Sequence, residues 1–251
     1  MQVASQFNLL EMVGPDVSPE HGVTRYIHDR TQGPACAIAA GAATIYRNYL
    51  AEVHGGPGQT RHRQVDCLAD LGRALGNADG SRWAMRNGYA LPTRAGLEHV
   101  DRLLANASAA ESEDLLGLLR IGLHWDAQVT DVRDREVLVS QAFCSALPIA
   151  YARLHDAPWE RFARLVLDAC YEATLLAACL NAAGGASRRV LLTRVGGGAF
   201  GNDVRWINAA IERAVDLVMG KGLEVVLVAY GQVPDDLRAL AYNLNRRAQA
   251  E

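Results

Sequence analysis

The run Val190-Leu-Leu-Thr-Arg-Val-Gly-Gly-Gly-Ala-Phe-Gly-Asn202 leaves this chain few options. Val190–Val195 is a short apolar strand pattern, three consecutive glycines end it, and Val204–Met219 resumes with helical spacing. Strand, glycine loop and helix start thus follow one another closely. Glycines at such a junction allow positive φ and close backbone approach to a ligand. The helix behind them offers unpaired N–H groups and the positive end of its dipole, a setting for phosphate. The loop is not a dinucleotide fingerprint, because G-x-G-x-x-G and the ribose-binding acid are both missing. It is not a P-loop either, because no G-K-[ST] follows.

A second junction of this kind lies at Thr31-Gln-Gly-Pro-Ala-Cys36, where Pro34 stands near the first position of a helix running to about Glu52. Both junctions belong at the carboxyl edge of one sheet, where open α/β sheets bind ligands. Two phosphate-type sites in one domain point to a diphosphate. The loops carry few cations, so backbone N–H groups are expected to do most of the recognition. Arg194 is expected to alternate away from its strand neighbours.

Alternation of strands and helices covers much of the chain. Val3–Phe7, Ala127–Val132, Glu136–Phe143, Val190–Val195 and Leu223–Ala229 read as strands. Pro158–Ala183 reads as a long helix with Phe162, Leu165, Val166, Ala169, Leu176 and Leu180 inward, and Pro234–Arg247 as the last helix. Thr93 caps another helix, and Ser108 with Glu111 forms a capping box. Residues 77–92 show little pattern. The expected fold is α/β, one domain over 1–251, with a helical insertion at about 65–121.

Between the first strand and the second junction lies a long loop with Asn8 at its head and four acids, Glu11, Asp16, Glu20 and Asp29. Loops of this length in a compact domain are more often functional than idle. Carboxylates perform acid/base work on glycosidic bonds, so a carboxylate-only site suits cleavage at an anomeric carbon. No competing constellation exists: there is no H-E-x-x-H and no G-x-S-x-G. The five cysteines are odd in number and lack C-x-x-C spacing, which argues against a disulfide framework or a zinc site. Net charge is −3 and no basic tract occurs, so nothing points to nucleic acid. No apolar stretch of membrane-spanning length stands out and no leader is visible, so the expected location is cytoplasmic. Tyr230, after the last strand, either stacks on a base or closes the core.

The two junctions together resemble the macrodomain fold. The early element is Phe7-Asn8 through Asp29-Arg-Thr-Gln-Gly-Pro-Ala-Cys-Ala-Ile-Ala-Ala-Gly41, and the later one is Val195-Gly-Gly-Gly-Ala-Phe-Gly-Asn202. More narrowly, the chain is similar to the divergent MavL-like ADP-ribosylhydrolase branch. The resemblance implies a three-layer α/β/α domain with a mostly parallel central sheet. It also implies ADP-ribose as ligand and removal of mono-ADP-ribose from arginine side chains of proteins, ubiquitin among them. The ligand would be held by Phe7, Asn8, Thr31, Gln32, Gly33, Pro34 and Ala35 on one side. On the other side stand Gly196, Gly197, Gly198, Ala199, Phe200, Gly201, Asn202 and Tyr230. Asp29 would be the principal catalytic carboxylate, with Asp16 and Glu20 closing over the same end on a flexible loop. The expected protein is a monomer that requires no metal or cofactor, touches neither nucleic acid nor membrane, and meets ADP-ribose and an ADP-ribosylated protein. The alternatives are a non-catalytic ADP-ribose reader and a hydrolase of a free ADP-ribose derivative. The paired-glutamate signature of poly(ADP-ribose) glycohydrolases and the strand that carries the usual adenine-binding acid are both absent.

Overall fold

Short apolar runs between glycine and proline punctuation give strands of two to four residues, apart from Gly122–Gln128 and Leu138–Cys144 with seven each. The computed structural model describes residues 1–133 and 136–249. In chain order it has β1 (Gln2–Ala4), two 3-10 turns (Pro19–His21 and Val23–His28), α1 (Gln32–Ala39), α2 (Gly41–Ile45) and a π-turn (Tyr46–Leu50). A small hairpin of β2 (Glu52–Val53) and β3 (Gly56–Pro57), α3 (Ala69–Ala74), and a second hairpin of β4 (Trp83–Arg86) and β5 (Tyr89–Pro92) follow. Next come α4 (Arg94–Asn106), α5 (Ala109–Leu116), β6 (Gly122–Gln128), β7 (Leu138–Cys144) and α6 (Ile149–Ala152). The chain closes with α7 (Glu160–Ala183), β8 (Arg189–Leu192), α8 (Val204–Leu217), β9 (Glu224–Leu227) and α9 (Asp235–Ala248).

The protein is α/β, with small mixed sheets. One has the order β1-β7-β6, with β1 parallel and β6 antiparallel to β7. The other is the parallel pair β8-β9. Side-chain amides bridge the gap between them. Gln32 lies along β1 as a further strand would: its Nε2 donates to the Gln2 carbonyl at 2.9 Å, and its Oε1 accepts from Ala4 N at 2.8 Å. Gln2 Oε1 in turn accepts from Thr193 N, just past β8, at 3.2 Å.

Several elements depart from their expected limits. The helix expected from Pro34 to Glu52 breaks at Ala40 (φ −113, ψ 56). The turn after β6 enters there: Thr130 N donates to Ala39 O at 2.7 Å, and Gly41 N donates to Thr130 Oγ1 at 3.3 Å. Residues 83–92 are a hairpin rather than irregular chain, because Asn87 and Gly88 both take positive φ (47 and 79) at its turn. Asn-Gly is the signal for this turn. The stretch from 65 to 121 therefore holds a hairpin as well as helices. Its Leu68, Leu71, Trp83 and Leu97 share the main core with Phe162 and Val166 of α7.

By length and composition α7 could cross a bilayer, contrary to the expectation of no such segment. Half of its apolar window is buried within the protein, as in a core helix, against β7, α8, α4 and α5. Leu176 and Leu180, expected inward, are exposed in its C-terminal part. The Thr93 cap and the Ser108/Glu111 capping box form as their sequences require.

Candidate functional site

A cavity of about 480 Å³ opens where four strands end. Ala4, Ser5 and Gln6 reach it from β1, Ala146 from the chain after β7, Thr193 to Gly196 from β8, and Val228 to Tyr230 from β9. This is the carboxyl-edge position expected of an α/β ligand site. A larger cavity of about 590 Å³ between the end of α8, β9 and α9 has, among the described residues, no carboxylate, histidine or cysteine in its lining.

The two junctions read from the sequence meet across the first cavity. Asp29, Thr31, Gln32, Pro34 and Ala35 line one side. Gly196, Gly198, Ala199, Phe200 and Tyr230 line the other. The start of α1 is brought this close because Gly33 has no side chain: a Cβ there would collide with the Ala4 carbonyl oxygen. Gly33 itself is buried beneath the lining. On the far side, Gly201 N donates to Gly198 O at 3.1 Å, and Asn202 N to Gly196 O at 2.9 Å. Asn202 Nδ2 donates to Leu147 O at 2.9 Å. These bonds fold the loop back on itself and leave the N–H groups of Gly198, Ala199 and Phe200 without an acceptor among the described residues. Gly197, Gly201 and Asn202 thus shape the loop without lining the cavity. The start of α8 is occupied by the Asp203 cap, whose side chain accepts from Arg205 N at 2.8 Å. The N-terminus of α8 is thus capped by its own side chain.

Phe200 packs in an aromatic cluster, its ring centroid 5.4 Å from Tyr89 and 5.7 Å from Tyr151. Tyr230 is fully exposed at the rim, which removes the core-closing role as an account of it. Phe7 and Asn8 are buried outside the lining. Phe7 is in the main core, while Asn8 Oδ1 accepts from Leu10 N at 3.1 Å and its Nδ2 donates to Gln64 Oε1 at 2.9 Å.

The four acids separate. Asp29 lines the cavity, and its Oδ1 accepts from Thr31 N at 2.8 Å. Asp16 is exposed and ion-paired with Arg86. Glu20 is exposed and accepts from Arg61 N at 2.7 Å. Neither Asp16 nor Glu20 is among the lining residues. The loop that carries them is held down by amide side chains: Gln6 bonds Met12 in both directions, and Asn87 Nδ2 donates to Pro15 O at 2.6 Å.

Glu11 is the second carboxylate in the cavity wall, and it is only 1 % exposed. Arg47 Nη2 donates to both its oxygens at 2.8 and 3.0 Å, and Glu11 N donates to Tyr26 Oη at 3.3 Å. The Arg47 guanidinium stacks over the Phe143 ring at 3.9 Å and donates through Nε to Leu9 O at 2.7 Å. Burial pushes the Glu11 carboxyl up to about 7, with Arg47 opposing the shift. A buried carboxylate with a raised proton affinity beside a cavity is a candidate functional group, and a structural ion pair carries the same signature. Its sequence signal was a lone acid inside the apolar run Leu9-Leu10-Glu11-Met12.

Arg194 also lines the cavity rather than turning away from it. The strand ends at Leu192, so alternation no longer governs its direction. Among the described residues, no group of three or more His, Cys, Asp and Glu side chains is gathered as a metal site. No family model, curated protein or solved structure matches this chain.

Proposed function

We propose that this protein is an ADP-ribosyl hydrolase of macrodomain type, built as an α/β/α domain, that releases mono-ADP-ribose from arginine side chains. One observation carries the reading: Gly198, Ala199 and Phe200 of the glycine loop, whose N–H groups have no acceptor among the described residues, line the same cavity as Asp29. The amides suit the diphosphate, and the carboxylates suit the ribose end. Water would add at the anomeric carbon as the bond to the guanidine nitrogen breaks, and the leaving guanidine would take up a proton. Asp29, with one oxygen outside the Thr31 bond, is placed to steer water or offset the charge of an oxocarbenium-like ribose. Glu11 stands behind it in the cavity wall, its proton affinity raised by burial and both its oxygens held by Arg47. The partners in this reading are ADP-ribose and an ADP-ribosylated protein such as ubiquitin, met by a monomer in the cytoplasm, with no metal in the reaction.

A specific observation favours a second reading, the non-catalytic ADP-ribose reader. Asp29 is already used in part to hold the turn into α1. One experiment separates the two. ADP-ribose is titrated by calorimetry, and the protein is then incubated with arginine-, glutamate- and serine-linked ADP-ribosylated proteins. Release from arginine alone supports the hydrolase. Binding with no release from any linkage supports the reader, and absence of binding rejects both.

A further inference from the structure

We infer that Arg194 is an anion clamp, released to a phosphate of the ligand by exchange from its resting partner Asp236. The inference deepens the reading above and rests on it for the identity of the ligand, but not for the anion. Arg194 sits between β8 and the glycine loop, and its backbone is fixed on both sides. Tyr171 Oη donates to Thr193 O at 2.6 Å and accepts from Val195 N at 3.0 Å, while Arg194 O accepts from Gly197 N at 3.1 Å. Its side chain, 21 % exposed, lies in the cavity wall that Gly198, Ala199 and Phe200 also line.

At rest Arg194 uses its donors poorly. Nη2 donates to Asp236 Oδ2 at 2.5 Å, while Nε is buried with no acceptor among the described residues. A guanidinium has five donors in a fixed fork that matches phosphate oxygens. Asp236 loses little when Arg194 departs. It keeps the bond from Asn208 Nδ2 at 3.0 Å, it stands in the first turn of α9 where the helix dipole favours a carboxylate, and its side chain is 44 % exposed, so water replaces the cation. The exchange therefore leaves no buried charge unpaired, which is the condition under which moving an ion pair is inexpensive.

Clamp and structural ion pair make opposite predictions for Asp236. Calorimetric titrations with ADP-ribose, inorganic pyrophosphate and adenosine would be run on the wild type, Arg194→Gln, Arg194→Lys and Asp236→Asn, with melting curves as the check on folding. Arg194→Gln should weaken ADP-ribose and pyrophosphate by about ten- to a hundredfold, the scale of hydrogen bonds to charged groups, and leave adenosine unchanged. Arg194→Lys should fall between, because it keeps the charge and loses the fork. Asp236→Asn should bind both phosphates several-fold more tightly at low salt, because the competing carboxylate is gone. Wild-type affinity in Arg194→Gln, equal losses in Arg194→Gln and Asp236→Asn, or a wild type that binds neither phosphate would each overturn the clamp. Binding of pyrophosphate through Arg194 without binding of ADP-ribose would uphold the clamp and reject the function proposed above.

Discussion

Gly198 and Gly33 serve the same cavity in different ways. Nothing lies within 4 Å of a Cβ built on Gly198, and its φ is not positive, whereas a Cβ on Gly33 meets the β1 backbone. Gly198→Val should therefore fold with an unchanged melting temperature and lose ADP-ribose binding by filling the cavity mouth. Gly33→Ala should lower the melting temperature itself. A Gly198→Val protein that still binds at wild-type affinity would move the ligand elsewhere. Asp29→Asn keeps shape but gives up charge. It should retain ADP-ribose binding and slow release from arginine about 100-fold or more, the scale of a lost acid/base group; full activity would remove Asp29 from the chemistry. Glu11 makes a prediction through pH. Its folded-state value of about 7 lies above its ordinary 4.5, so the folded protein binds this proton more tightly than the unfolded chain. Its contribution to stability is complete below about 4.5 and is lost as pH rises through about 7. Glu11→Gln, which resembles the protonated acid, should flatten the melting temperature across that interval. An unaltered slope would assign the pH dependence to other groups.

Helix caps were visible in the sequence where the signal was local, but strand ends were not: β1 stops at Ala4, β6 at Gln128 and β8 at Leu192, each short of its expected end. The Thr93 cap, the capping box at Ser108 and the strand-loop-helix at Val190 each depend on residues within a few positions. The broken helix after Ala39 was not visible, because Thr130, which interrupts it, is distant in the chain. The amide splice between β1 and β8 was hidden for the same reason, although Gln32 itself stood out. Gln32→Leu would strip partners from Ala4 N and Gln2 O together. At about 1–3 kcal/mol for each polar group left unsatisfied, it should destabilise the protein by about 2 kcal/mol or more. Urea denaturation reads this directly, and a loss near zero would show that water fills the gap.

Across the protein, the five thiols test the core as a whole. Cys67, Cys144 and Cys170 are buried, and Cys36 and Cys179 are partly exposed. Burial, with Glu11 nearby, pushes the Cys36 thiol up to about 11. In the native protein a thiol reagent should therefore label Cys179 first, Cys36 slowly, and the other three only on unfolding. Early labelling of Cys144 or Cys170 would mean that the packing of α7 on β7 opens in the native state.

The order of strands, glycine loops and capped helices follows from local rules of backbone freedom and hydrophobic period, and the sequence declares it. The two junctions were expected on one sheet; they meet across one cavity, but from two separate sheets, β1-β7-β6 and β8-β9, joined through the Gln2 amide. What no local rule contains is which acids reach that cavity. Asp16, Glu20, Asp29 and Glu11 belong to one loop, and nothing in their spacing tells a solvated carboxylate from a buried one. The distinction came from partners far along the chain: Arg86 for Asp16, the Arg61 amide for Glu20, and Arg47 for Glu11. Arg194 was misread for the same cause, because its direction is set by the bonds of Tyr171 and the carboxylate of Asp236 once the strand has ended. Burial and charge pairing are sums over the whole packed chain, so they exist only after it has folded.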